Sequence, residues 1–141
     1  MPTAATIQSE QTFQVGVTGP GDIRKMHVVS GLAQAGLTAL ASNAGGNVTV
    51  QRTFAAAVGP TLTAAEYRRS TAVVALTALN LTESGGAFAS WAITDVDADL
   101  DDETGRVKLQ FDLQVTIQTP AATMSTVAIA GVSFQIFILT I

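Results

Sequence analysis

The sequence predicts an α+β fold in which β structure dominates, and three observations carry that expectation. Residues 92–118 form two runs of alternating apolar and polar side chains, separated by Asp102-Glu103-Thr104-Gly105. The stretch from Ser125 to Ile141 has no charge and ends in Phe134, Ile136, Phe137, Ile138, Leu139 and Ile141. Between Asp22 and Ala41 the apolar residues fall at helical spacing. Together they predict an antiparallel meander over about 71–141, joined by two N-terminal strands. Helices at about 22–42 and 62–70 are expected to pack on it. With 141 residues the chain has the size of a single domain. Residues 1–11 read as a flexible or partner-reaching polar arm, and 12–141 as a single β-rich domain.

In chain order, Phe13, Val15 and Val17 alternate with Gln14 and Gly16, the period of a half-buried strand. Gly19-Pro20-Gly21 ends it, and Asp22 is a good N-cap for the helix that Met26, Val29, Ala33, Leu37 and Leu40 outline. Gly31 and Gly36 weaken that helix by about 1 kcal/mol each relative to Ala. After the loop at 42–46, Val48, Val50 and Arg52 open a second strand running to about Val58. Thr63 and Glu66 then match a capping box at the head of a short helix. Residues 71–81 fit both a helix (Ala72, Val73, Leu76, Leu79) and a strand. The β-branched residues Thr71, Val73, Val74 and Thr77 favour the strand.

The meander holds the most specific pattern. Ala92, Thr94, Val96, Ala98 and Leu100 alternate with Asp95, Asp97, Asp99 and Asp101. Val107, Leu109, Phe111, Leu113, Val115 and Ile117 then oppose Lys108, Gln110, Asp112, Gln114, Thr116 and Gln118. Pairing Asp101 with Arg106 sets Asp99 against Lys108 and Val96 against Phe111, so one register serves both charge and burial. Gly105 sits where a positive φ is expected. The final strand is apolar on both faces and is therefore expected to be covered on both. A weak echo links 12–46 to 53–86 at an offset of 39 to 41 residues, the pattern an old duplication would leave.

Composition excludes several function classes. The net charge is −4 and the seven basic residues are scattered, which argues against a nucleic-acid partner. No cysteine is present, so disulfides, thiolate nucleophiles and Cys-based zinc sites are out. Residues 1–11 lack the basic and apolar regions of a signal peptide, and 125–141 lacks flanking basic anchors, so no membrane span is expected. Localisation stays unknown, with a virion or an extracellular assembly among the options. Neither G-x-S-x-G nor a nucleotide-binding glycine motif occurs. The lone His27 reads as a surface or core-edge residue.

One constellation bears on metal chemistry. Six of the eleven acidic residues cluster in Asp95, Asp97, Asp99, Asp101, Asp102 and Glu103. Their spacing departs from a calcium-binding EF-hand loop: Leu100 stands at the glycine position and Arg106 at that of the bidentate glutamate. Alternate aspartates of a strand lie about 7 Å apart on one face, too far to share one ion. That leaves Asp101, Asp102 and Glu103 as the candidate calcium ligands. Beyond that no cofactor is expected, and no catalytic set emerges.

Only 13% of residues are charged while 48% are hydrophobic, more apolar surface than a small domain hides easily. The expectation is a non-enzymatic structural subunit that associates with copies of itself or other structural subunits, in a virion, tail, appendage or cage. Its interface residues would be Phe134, Ile136, Phe137, Ile138, Leu139 and Ile141. The alternative is a small-ligand or carbohydrate-binding module using the sheet face and Trp91.

Overall fold

The computed structural model describes residues 1–16, 25–41, 46–84, 88–119 and 125–140. They form β1 (Thr3–Ala4), β2 (Thr6–Gly16), β3 (Lys25–Ala41), β4 (Gly46–Val58), α1 (Ala64–Arg68), β5 (Ser70–Ser84), β6 (Phe88–Asp101), β7 (Arg106–Thr119) and β8 (Ser125–Thr140). Two four-stranded sheets face each other as a sandwich. Sheet I has the order β1-β4-β7-β6 and sheet II the order β2-β3-β8-β5. All pairings are antiparallel except the short parallel one between β1 and β4.

Alternation makes the core. Val107, Leu109, Phe111, Leu113, Val115 and Ile117 of β7 are fully buried, as are Val132, Ile136 and Ile138 of β8 across the gap. Each such side chain contributes about 1.5–3 kcal/mol relative to exposure. Phe111 stacks on Phe54 of β4, with ring centroids 5.9 Å apart.

The largest correction falls on 22–42, where the expected helix is the strand β3. Its buried set is His27, Val29, Ala33, Ala35, Leu37 and Ala39, at a period of two, while Leu40 of the expected helical face is exposed. Alanine satisfies either period, so the local pattern was degenerate. The tertiary fit was not. Gly31 stands opposite Phe134, and a Cβ there would meet the Ser9 carbonyl oxygen and lie 2.9 Å from the Phe134 ring. The glycine that weakens a helix here seats an aromatic ring between strands. Residues 22–24 and 42 lie outside the described residues.

Other expectations fare differently. Residues 71–81 lie within β5, a strand. The two N-terminal strands are β2 and β4, with β2 longer than expected. The polar segment 1–11 runs along both sheets: Thr3 and Ala4 pair with Phe54 and Ala55, and Thr6 to Gln11 pair with β3. The helix expected at 62–70 is α1, whose capping box joins the Thr63 amide to Glu66 Oε2 (2.8 Å) and the Glu66 amide to Thr63 Oγ1 (3.1 Å). Among the described residues the echo between 12–46 and 53–86 is not matched by the topology, because β2 and β3 are neighbours in one sheet whereas β4 and β5 belong to different sheets.

The β6–β7 hairpin keeps the expected pairs Asp101↔Arg106 and Asp99↔Lys108, and Gly105 has φ +67. Further along, a bulge sets Asp95 and Val96 opposite the single residue Phe111, with Asp95 at φ +51. Val96 is therefore not buried against Phe111 but is 36% exposed. Beyond the bulge the faces exchange, so Ala89, Trp91 and Ile93 pair with the buried Ile117, Val115 and Leu113.

A polar clasp fastens the sheets at one end. The Arg106 guanidinium donates to both oxygens of Glu10 on β2 (3.0 and 3.1 Å) and to the Gly59 carbonyl (2.8 Å). Glu10 Oε1 also accepts from the Gly59 amide (3.1 Å).

Candidate functional site

Sheet II carries an exposed apolar band on its outer face. Pairing places Phe13, Val28, Phe137 and Val73 in one row across all four strands, and Val15, Met26, Leu139 and Thr71 in the row two residues along. Phe13 is 58% exposed, Val73 52% and Val15 43%, while Met26, Val28, Phe137 and Leu139 are half-buried. Phe13 and Val15, read from their alternation as the buried face of a strand, thus point outward. The adjoining row, Gln11, Ser30, Gln135 and Ala75, is mostly polar and bounds the band.

The expected interface residues divide between the two faces of β8. Phe134, Ile136 and Ile138 belong to the intramolecular core. Phe137 and Leu139 lie in the outer band, and Ile141 is outside the described residues. One face of the doubly apolar strand is covered by sheet I, and the other remains partly open. Phe13, Val15, Met26, Val28 and Val73 were missing from the expected set. No single segment signals them; the band exists only once register aligns four strands.

Sheet I presents the opposite chemistry. Its outer face carries Thr49, Gln51 and Thr53 on β4, Gln110, Asp112, Gln114 and Thr116 on β7, and Ser90 and Thr94 on β6. Thr49 and Thr116 share a hydrogen bond of 2.9 Å, and Asp112 accepts from Thr53 and Gln51. A shallow depression of about 100 Å³ is lined by Ser90, Trp91, Ala92, Gln114 and Thr116. It falls below the ~300–1,000 Å³ of typical small-molecule sites. Trp91 is 53% exposed.

Within the acidic turn, Asp101 spends its carboxylate on local bonds. Asp101 Oδ1 accepts from the Glu103 amide (3.3 Å) and Oδ2 from the Thr104 hydroxyl (2.8 Å). Among the described residues no three His, Cys, Asp or Glu side chains are grouped as a set that could hold a metal ion, so Asp101, Asp102 and Glu103 are not brought together as calcium ligands.

His27 lies on the inner face of β3, 5% exposed, with neither ring nitrogen hydrogen-bonded. Burial, aided by the Lys25 charge and opposed by Glu66, holds its pKa below the usual histidine value. Tyr67 of α1 donates to the Ala98 carbonyl (3.1 Å), and burial together with Asp99 and Asp97 raises its pKa. No helix among the described residues is long and apolar enough to cross a membrane.

The fold and this surface define an antiparallel two-sheet β-sandwich with one polar and one apolar outer face. No family model, curated protein or solved structure matches the chain.

Proposed function

We propose that the chain is a structural subunit that associates with copies of itself through sheet II, in an assembly such as a virion, tail, appendage or cage. The observation that carries this reading is the apolar band. Seven apolar side chains from four strands form one patch, three of them more than two-fifths exposed. Contiguous apolar patches of this kind mark association sites, because removing them from water stabilises a complex by about 25 cal/mol per Å². Low charge keeps the desolvation cost of such contacts small. Catalysis and a calcium requirement play no part in the proposal.

Absolute mass by light scattering after size exclusion, over a range of concentrations, tests it. A defined multimer or filament is the expected result. A mass of 14.5 kDa at every concentration would refute it. In that case the second reading, a carbohydrate-binding module, would rest on the exposed Trp91 and the Gln114–Thr116 depression beside it. Quenching of the single Trp by a sugar panel would check that reading.

A further inference from the structure

We infer that copies join head to tail, with β5 of one chain pairing antiparallel to β2 of the next so that sheet II runs on from copy to copy. This deepens the self-association proposed above and rests on it. The four sheet edges differ in how they are guarded. The β6 edge of sheet I carries the Asp95 bulge and the run Asp95, Asp97, Asp99, Asp101, two devices that discourage strand addition. On the β4 side, β1 pairs with Phe54 and Ala55. The edges of sheet II carry irregularities only beyond a regular stretch, between Ile7 and Ser9 on β2 and between Leu76 and Ala78 and Asn80 and Leu81 on β5, which leaves Glu10–Gly16 and Ser70–Leu76 unbulged. Between Thr6 and Gly16 the only charge is Glu10, already held by Arg106, and Ser70–Thr82 has no charge at all. Neither stretch contains proline. Among the described residues, no strand pairs with the outer side of β2 or β5.

The two bare edges also fit each other. The antiparallel pairings make β2 and β8 run one way and β3 and β5 the other. A copy shifted sideways along the sheet therefore presents its β2 antiparallel to β5. Seven rows cross the sheet unbroken, from Gly16-Lys25-Thr140-Ser70 to Glu10-Gly31-Phe134-Leu76. Antiparallel hydrogen-bonded and non-bonded pairs alternate both along a strand and from one strand gap to the next. With four strands the alternation returns in phase at the joint. Phe13 of the next copy then faces Val73, Val15 faces Thr71, and Gln14 faces Ala72. No like charges meet, and the outer apolar band continues across the joint. The partner that matches these edges in direction, row and chemistry is a second copy of this chain.

The absence of native cysteine makes the test clean. Phe13→Cys and Val73→Cys are prepared as separate single variants, mixed, and oxidised. Disulfide-linked dimers are expected in the mixture and not in either variant alone. Val15→Cys with Thr71→Cys repeats the test two rows over, should the first pair fold poorly. Gln11→Cys with Val73→Cys, two residues out of register, is expected to stay unlinked. Links within Phe13→Cys alone or Val73→Cys alone would overturn the head-to-tail joint in favour of a symmetric one. An assembled wild-type chain whose matched pairs do not link would overturn the inference and leave self-association standing. A wild-type chain that is monomeric throughout would overturn both.

Discussion

Sheets I and II share a core, yet their outer faces and free edges are built on different principles. On sheet I, threonine, glutamine and serine occupy the outward positions, hydrogen bonds link them across strands, and the β6 edge is bulged and acidic. On sheet II, phenylalanine, valine, methionine and leucine occupy a band across the strands, and both edges are long and almost without charge. The central strands β7 of sheet I and β8 of sheet II are alike in burying an apolar inner face, yet the outer faces around them differ. A surface finished for water and a surface left unfinished in one small domain indicate where a partner is expected.

The strongest way to break this contrast is to give sheet II the surface of sheet I. Replacing Phe13 with Gln, Val28 with Thr, Phe137 with Gln and Val73 with Thr is expected to lower the mass in solution to that of a single chain. Phe13 and Val73 are exposed and tolerate such changes at about 0.5 kcal/mol each, whereas the half-buried Val28 and Phe137 cost more, so far-UV circular dichroism is recorded with the mass and should still report a β fold. The same number of Thr→Ser and Gln→Asn changes on the outer face of sheet I should leave the mass unaltered.

Next in size is an effect on the inner face of sheet II. Gly31→Ala places a methyl group against the Ser9 carbonyl and the Phe134 ring. Overpacking of this kind costs about 1–3 kcal/mol, read as a lower urea midpoint. Gly36→Ala, where nothing lies within 4 Å, is the control and should change the midpoint little.

A pH profile sharpens the comparison further, since the buried histidine lies in sheet II. Its folded pKa is lowered from 6.5, so the unfolded chain binds its proton first as pH falls. The stability held by neutral His27 is complete above pH 6.5 and is lost as pH drops through the interval down to the folded pKa. Glu66, whose pKa is lowered from 4.5 by its hydrogen bonds with Thr63, stays ionised over the upper part of that range and acts only at lower pH. Urea midpoints between pH 7.5 and 5.5 should fall for the wild-type chain and fall less for His27→Leu.

The smallest change concerns the guarded edge. Asp95 holds a φ of +51, a region that glycine enters at little cost. Asp95→Gly should raise stability by less than about 1 kcal/mol. A melting temperature that drops instead would show that the aspartate side chain itself fixes the bulge.

How far these features were legible differs by element. The β6–β7 hairpin was readable because charge and burial agreed on one register, and the pairs Asp101↔Arg106 and Asp99↔Lys108 stand as expected. The capping box of α1 was readable because Thr63 and Glu66 act on each other over three residues. Strand β3 was misread because Ala33, Ala35 and Ala39 fit both periods and because Gly31 acts on a residue about a hundred positions away. The Asp95 bulge was invisible because nothing in its own segment demands an extra residue. Of the expected interface, Phe137 and Leu139 fall in the exposed band, whereas Phe134, Ile136 and Ile138 were consumed by the core.

Local order was therefore determined by the sequence acting over short distances: the alternation of β7, the cap of α1, the turn at Gly105, and the shortage of charge. Only the tertiary structure decided which side of each strand faces inward and which strands become neighbours. Alternation states that two faces differ, but burial depends on what packs opposite. Phe13 and Phe137, far apart in the chain, share one outward row because β3 pairs with β2 on one side and β8 on the other.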